Sequence, residues 1–378
     1  MAEVELPEPD RVEGAPHPRE TRALVGQAAA EAAFLNAWAT GRMHHGWMLT
    51  GPQGVGKATL AWRIARFLVA TPPPADDDGL FGAPEPPATL DISEDHPVAR
   101  RSRALSEPGI LLLRRGANDR GDRLAAEIRV QDVRDLKRRM TMSAADGGRR
   151  AIIVDAADDM NVNAANALLK LLEEPPANTV LLLVCHQPAR LLPTIRSRCR
   201  ELRLSPLGPD DMARALGGAG ADIDPARTDA LAELSAGSVG AALRLLNLDG
   251  LALYAEFMDI LGGMPDLDRP RALRLAEAVS ARGREAHFDL LLALADLALA
   301  RLARTGVTGA PPDRAALPDE KRTLSRLAPD LRAGRAWAEV AQVTAERARH
   351  GRAVNVDPAS LVFDMMGHLR DTAAAVLR

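Results

Sequence analysis

The sequence predicts a doubly wound, parallel α/β sheet of five strands, followed by a region built from helices alone. Three observations predict it. Short apolar runs alternate with stretches of helical periodicity through the first two hundred residues. A glycine-rich loop joins the first run to its helix. Beyond Pro206 the strand-like runs stop.

The elements follow in order. Residues 1–20 are polar and acidic and read as a flexible arm, and Ala23 to Trp38 reads as a helix. Gly46 to Thr50 is a short apolar strand, and Ala58 to Val69 behind it has helical spacing. From Pro72 to Pro97 there are seven prolines, seven acidic residues and no lysine or arginine, a composition that buries too little surface to fold alone and reads as an inserted loop. Ile110 to Leu113 is a continuous apolar run suited to a strand covered on both faces. A helix from Val130 to Met142 comes next, then a strand over Ala151 to Val154, a helix over Ala164 to Leu172, and strands over Val180 to Val184 and Glu201 to Leu204. Asp210 to Leu216, Pro225 to Ser235 and Val239 to Leu246 form three short helices. From Leu251 longer helices run on, interrupted by a Gly/Pro break between Thr305 and Pro318.

Composition removes several classes of function. The chain has 378 residues and 47% apolar content, enough for a sizeable core, but only 11 aromatic residues, so that core is built from Ala, Leu, Val and Ile. Lys plus Arg is 48 against 51 Asp plus Glu, and a net charge of −3 supplies no global field for nucleic acid. Any DNA contact has to come from a local patch such as Arg138, Arg139, Arg149 and Arg150, through salt-sensitive phosphate contacts. Two cysteines, Cys185 and Cys199, make neither a four-cysteine zinc site nor a disulfide framework, and no signal peptide precedes them. The longest apolar stretch, Leu290 to Leu302, carries Asp296 and Arg301 and is too short to span a bilayer. A cytoplasmic, reducing home with no membrane contact is the expectation. His44 and His45 are adjacent without further ligands nearby, so no metal site is expected.

The chemistry sits in the loop Gly51-Pro-Gln-Gly54-Val-Gly56-Lys57-Ala58-Thr59. Its spacing fits a phosphate-binding P-loop, in which glycines let backbone N–H groups converge on phosphate oxygens and Lys57 neutralises their charge at a helix N-terminus. The pattern departs at Ala58, where a hydroxyl would ligand Mg²⁺; Thr59 comes one step late. Asp155, closing the run Ile152-Ile153-Val154, stands where an aspartate would orient Mg²⁺. The next residue is Ala156, so no glutamate is present there to polarise a water, and Asp158 and Asp159 are better placed to open the following helix. Gly51, Gly54, Gly56, Lys57, Thr59 and Asp155 are thus the candidate nucleotide site, with ATP expected weakly held or absent, Mg²⁺ poorly held and no zinc.

These motifs carry a resemblance. With the P-loop, Asn166-Ala-Leu-Leu-Lys-Leu-Leu-Glu-Glu-Pro-Pro176 and Thr194-Ile-Arg-Ser-Arg-Cys199 are similar to the clamp-loader subunits of the AAA+ class, over about Pro18 to Leu246. Val354-Asn-Val-Asp-Pro358 before an apolar helix resembles the family's C-terminal end. The resemblance implies an AAA+ P-loop domain over 21–205, a helical lid over 206–250 and an all-α oligomerisation collar over 251–378. It implies a ring-like loader with ATP sites between neighbours, here of the gamma/tau and delta kinds, which acts on a sliding clamp and primed DNA within a DNA polymerase III holoenzyme. Arg198 of Ser197-Arg198-Cys199 would then be an arginine finger acting in trans, as befits a planar, permanently charged group. Gly240 falls where relatives carry a nucleotide-sensing arginine, and His186 falls at a second sensing position. These departures imply a member without ATPase activity of its own, a stator. An active motor of the gamma/tau kind, with Lys57 and Asp155 at its centre, is the alternative; a DNA-binding AAA+ adaptor outside replication is a third. On the bland reading, Arg196, Arg198, Arg200 and Arg203 form one solvated basic face.

Overall fold

The computed structural model describes residues 8–378 apart from 10, 13, 22, 73–86, 143–147 and 222. The chain divides into two compact units, one made of 1–222 with Ser238–Gly240 and one of 223–237 with 241–378.

In the first unit five parallel strands form one sheet. They are β1 (Gly46–Thr50), β2 (Ile110–Arg114), β3 (Arg150–Asp155), β4 (Thr179–Val184) and β5 (Arg200–Arg203), in the spatial order β2-β3-β4-β1-β5. The three inner strands are apolar because helices cover both faces, as a parallel sheet requires. Alternation sorts their side chains. Met48, Ile152, Val154, Leu181 and Leu183 pack with Val133, Leu136 and Met140 of α4 (Val130–Met142) and with Leu168 and Leu172 of α5 (Val162–Glu173). On the other face Trp47 meets Phe34 of α1 (Ala28–Ala39) at 5.2 Å, and Phe34 and Trp38 both stand edge-on to Phe67 of α2 (Lys57–Ala70). Four of the 11 aromatic residues are therefore spent on one helix–sheet layer.

The differences from the sequence reading have local causes. The first helix starts at Ala28 rather than Ala23, because Gly26 sits at φ +75° and Gln27 turns its side chain inward. The helix after β3 is opened by Asn161, whose side chain accepts from Ala164 N at 2.9 Å; Asp158 and Asp159 belong instead to a separate 3₁₀ turn. Of residues 1–20, read as a flexible arm, the described part packs down. His17 is fully buried against Trp62, and Glu8 accepts from Arg19 at 2.6 Å and from Arg114 at 3.1 Å. The Pro/Asp-rich stretch over 72–97 lies mostly outside the described residues. Its end is ordered by a buried Leu90 and an Asp91–Arg63 ion pair of 2.9 Å, and runs into a short helix, α3 (Pro97–Arg103).

A short helix, α6 (Pro193–Arg196), precedes β5 and α7 (Pro209–Gly218) follows it in the first unit, and the second unit begins with α8 (Pro225–Leu234) and takes in most of α9 (Val239–Asn247). The rest of the second unit comprises α10 (Gly250–Gly263), α11 (Arg269–Ser280), α12 (Glu285–Thr308), α13 (Glu320–Leu327), α14 (Leu331–Ala353) and α15 (Pro358–Val376). The end motif is capping chemistry: Asn355 turns the chain at φ +57°, Asp357 accepts from Ser360 N at 2.9 Å, and Pro358 takes the first helical position, where its missing N–H costs nothing. Among the described residues, no helix is long and apolar enough to cross a membrane.

Candidate functional site

The glycine loop leaves the C-terminal end of β1 and enters α2, the place where open α/β sheets bind ligands. Gly51 is at φ +134°, and a Cβ there would lie 2.4 Å from Leu204 O. Gly54, at φ +80°, has Ser238 Oγ 2.4 Å from where its Cβ would be. Only glycine fits either position, so close approach of the loop to the rest of the chain itself requires glycine there.

Lys57, the first residue of α2, is 2% exposed, and its Nζ donates to Gly51 O at 2.6 Å and Pro52 O at 2.5 Å. The ammonium therefore closes on its own loop. Burial lowers its pKa to about 8, against the opposing pull of Asp158, Cys185 and Asp155. Asp155 is buried at the end of β3 and feels the same ammonium. Thr59 is buried, and one residue beyond Ala58 turns it about 100° around the helix from that position. The structure thus brings Gly51, Gly54, Gly56, Lys57 and Asp155 together and leaves the Thr59 hydroxyl to one side.

Two residues that sequence reasoning passed over hold the loop. Gln27 Nε2 donates to Val55 O at 3.2 Å and to Ser205 O at 2.8 Å, and Ser205 N donates back to Gln27 Oε1 at 3.1 Å. Ser238 Oγ donates to Gln53 O at 2.7 Å, and the Gly240 amide donates to Gly54 O at 3.1 Å. A Cβ at Gly240 would sit 3.2 Å from Gly54 Cα, so here the backbone itself rests on the loop. No local signal marks Gln27, whose partner lies 178 residues away.

The acidic and sulfur groups nearby have structural duties. Asp158 accepts from the amides of His186 and Gln187 at 2.9 and 3.0 Å, pinning the turn after β4. His186 is held neutral, its pKa lowered to about 4 by burial and then by the Lys57 charge. Asp159 pairs with Arg115 at 3.1 Å, while burial raises its pKa. Burial also pushes the thiols of Cys185 and Cys199 up to about 12, which makes both poor nucleophiles. His44 and His45 stack on each other, and His45 Nε2 meets Leu172 O at 2.8 Å. Among the described residues, no group of three or more His, Cys, Asp or Glu is placed to hold a metal ion.

Arg198 lies elsewhere. It stands just before β5, whose Arg200 is in register with Trp47 near the start of β1 and whose Arg203 is in register with Thr50 at its end. In this parallel pair Arg198 is therefore at the N-terminal end of the sheet and the glycine loop at the opposite end, separated by the length of β1, about 16 Å at 3.3 Å per residue. Its guanidinium donates to Thr194 O at 3.1 Å and lies 3.1 Å from Glu173. Of the neighbouring arginines, Arg196, Arg200 and Arg203 are exposed, and Arg200 also lies over Trp47 at 5.2 Å. The other arginine group is also engaged: Arg138 bonds Asp135, Arg139 donates to Leu112 O, Arg149 lies over Trp38 and Arg150 donates to Met140 O.

Residues 26–208 match the family model described as DNA polymerase III, delta subunit. The likeness is to bacterial DNA polymerase III delta-prime subunits. The delta-prime subunit of Pseudomonas aeruginosa is 35% identical over 227 residues, 59% of this chain and 61% of that protein. The delta-prime subunit of Escherichia coli is 31% identical over 57% of this chain and 58% of its own length. Its tau subunit is 28% identical over 74% of this chain and 40% of its own. The matched part thus spans about three fifths of the delta-prime relatives. The P-loop, the Leu-Leu-Glu-Glu-Pro-Pro segment and Ser197-Arg198-Cys199 all fall within the matched residues. They are the motifs that carry the clamp-loader AAA+ resemblance in the sequence.

Proposed function

We propose that this chain is a clamp-loader subunit of delta-prime type in DNA replication. It is a stator that hydrolyses little or no ATP itself and supplies Arg198 to a neighbouring subunit's nucleotide site. The observation that carries this reading is the separation of Arg198 from the glycine loop by the length of a sheet strand. An arginine at that end of the sheet has no access to its own P-loop, and its chemistry is available to another chain. A planar guanidinium stabilises the charge that spreads over a transferring γ-phosphoryl group.

The loop geometry supports the second half of the reading. The Gly51–Gly56 amides and Lys57 are the groups that would hold the phosphates of ATP, and bound ATP would supply the phosphoanhydride to be cleaved. Yet Lys57 is tied to Gly51 O and Pro52 O, Gly240 rests on Gly54, and Ala58 offers Mg²⁺ no oxygen. ATP is held weakly or not at all, and Mg²⁺ with it. Partners are gamma/tau and delta subunits, met through the helices of 251–378 and the Ser197-Arg198-Cys199 face; the clamp and primed DNA are met through the assembled complex, in the cytoplasm.

A gamma/tau-like motor is the second reading. It is favoured by the tau match over 74% of the chain and by the convergence of Lys57 and Asp155 at one end of the sheet. ATP turnover by the purified chain separates the two. Silence of the chain alone, with turnover once it is combined with gamma/tau and delta subunits, is the stator result; turnover by the chain alone, lost in Lys57→Ala, is the motor result.

A further inference from the structure

Arg198 is tethered through both ends of its guanidinium. Nη1 donates to the carbonyl of Thr194 at 3.1 Å, and Nη2 lies 3.1 Å from Glu173 Oε1. Both acceptors belong to the same chain, and Glu173 is the last residue of α5, within the Leu-Leu-Glu-Glu-Pro-Pro segment. The backbone underneath is fixed: a Cβ at Gly46 would lie 3.1 Å from Arg198 O and 3.3 Å from Cys199 Sγ, so the main chain sits tight against the start of β1. What remains free to move is the side chain. The two side chains of the pair are 38% and 43% exposed, so the pair is open to exchange with an outside anion.

We infer that Glu173 is a latch, a positioning residue that parks Arg198 on its own chain until a neighbour's phosphate displaces it. This rests on the reading of Arg198 as a finger acting in trans. The Nη groups of a guanidinium are the edge that pairs with carboxylate or phosphate in two-point fashion. Here that edge is taken by one carbonyl and one carboxylate, so an incoming phosphate has to compete with Glu173. A half-exposed pair is weak, and the latch shifts the balance between parked and free arginine by about fivefold at most. That is a suitable strength for holding the ring idle without blocking it.

The test is ATP turnover, without DNA, of a loader reconstituted from this chain with gamma/tau and delta subunits. The chain would be wild type, Glu173→Gln, Arg198→Ala or the double variant, each shown by gel filtration to assemble equally. Glu173→Gln keeps the shape and removes the charge. The expected result is a rise of about two- to fivefold, in kcat with KM unchanged, that vanishes when Arg198→Ala is also present. A merely structural Glu173 would lower turnover, and would do so in both backgrounds. Turnover at or below wild type in Glu173→Gln, with Arg198→Ala still inactivating, overturns the latch and leaves the finger standing. An Arg198→Ala loader as active as wild type overturns the finger and the latch together, and that single variant tells the two failures apart.

Discussion

Gln27 and Ser205 bind each other twice, amide to carbonyl at 2.8 Å and amide to carbonyl again at 3.1 Å. The same Gln27 side chain also reaches Val55 O, so one buried amide joins the start of α1, the exit of β5 and the glycine loop. Gln27→Leu takes this partner from Val55 O, Ser205 O and Ser205 N. Each buried group that loses its partner costs about 1–3 kcal/mol, and the variant is expected to lose at least that much in urea unfolding. A loss within about 0.5 kcal/mol, the ordinary range of a surface change, would remove Gln27 from this role.

The glycine loop and the strands were legible because each carries local information. Gly51, Gly56 and Lys57 have a fixed spacing, and Ile110 to Leu113 or Val180 to Val184 are unbroken apolar runs. The Gln27 clamp, the Ser238 bond to Gln53 and the Glu173 partner of Arg198 were not legible, because each joins positions far apart in the chain. The start of α1 was missed for a related reason. Ala23 to Trp38 has continuous helical composition, and only the tertiary demand on Gln27 and the left-handed Gly26 holds the helix back. His17, buried under Glu8 and Trp62, sits in a stretch whose polarity alone suggested a loose arm.

Lys57 makes the stability of the first unit depend on pH. Its folded pKa is about 8, below its ordinary value of 10.5, so between these values the unfolded chain binds a proton that the folded chain has released. Stability from this group therefore rises through that window, is fully present above it and is lost as pH falls through about 8. The unfolding free energy of wild type relative to Lys57→Met is expected to increase between about pH 7.5 and about pH 9.5. A flat or falling difference would mean the ammonium is better solvated than its burial implies.

In the second unit Glu320 is fully buried and accepts from Tyr254 Oη at 2.6 Å, Arg301 Nη1 at 2.7 Å and Ala316 N at 2.6 Å, while Arg301 also reaches Glu233 at 3.0 Å. This network ties α8, α10, α12 and α13 together, and burial with the Glu320 charge holds the Tyr254 phenol protonated. Glu320→Ala leaves the buried Arg301 with Glu233 alone and takes the acceptor from Tyr254 Oη and Ala316 N, and is expected to cost about 3–5 kcal/mol. Tyr254→Phe removes one hydrogen bond and should cost about 1 kcal/mol. The ranking of the two in chemical unfolding is the check, and equal losses would contradict it.

Helices α12 and α14 touch through backbone at one point. A Cβ at Gly306 would lie 2.6 Å from both Asp330 O and Gly334 Cα. Gly306→Val has no flexible neighbour to displace and is expected to cost about 1–3 kcal/mol or more. At Gly263, the last residue of α10, a Cβ meets nothing within 4 Å. Gly263→Ala is expected to stabilise by about 0.4–1 kcal/mol through the unfolded chain. Thermal melts of the two variants moving in the same direction would contradict this packing.

The central claim is that Arg198 works on another chain's nucleotide, and DNA-stimulated ATP turnover of the reconstituted loader measures it most directly. Removing an arginine finger from such sites costs on the order of 10³ to 10⁵ in rate, so Arg198→Ala is expected to reduce turnover at least tenfold while gel filtration shows an intact complex. An unchanged rate in an intact complex would contradict the account, leaving the chain a scaffold and returning attention to Lys57.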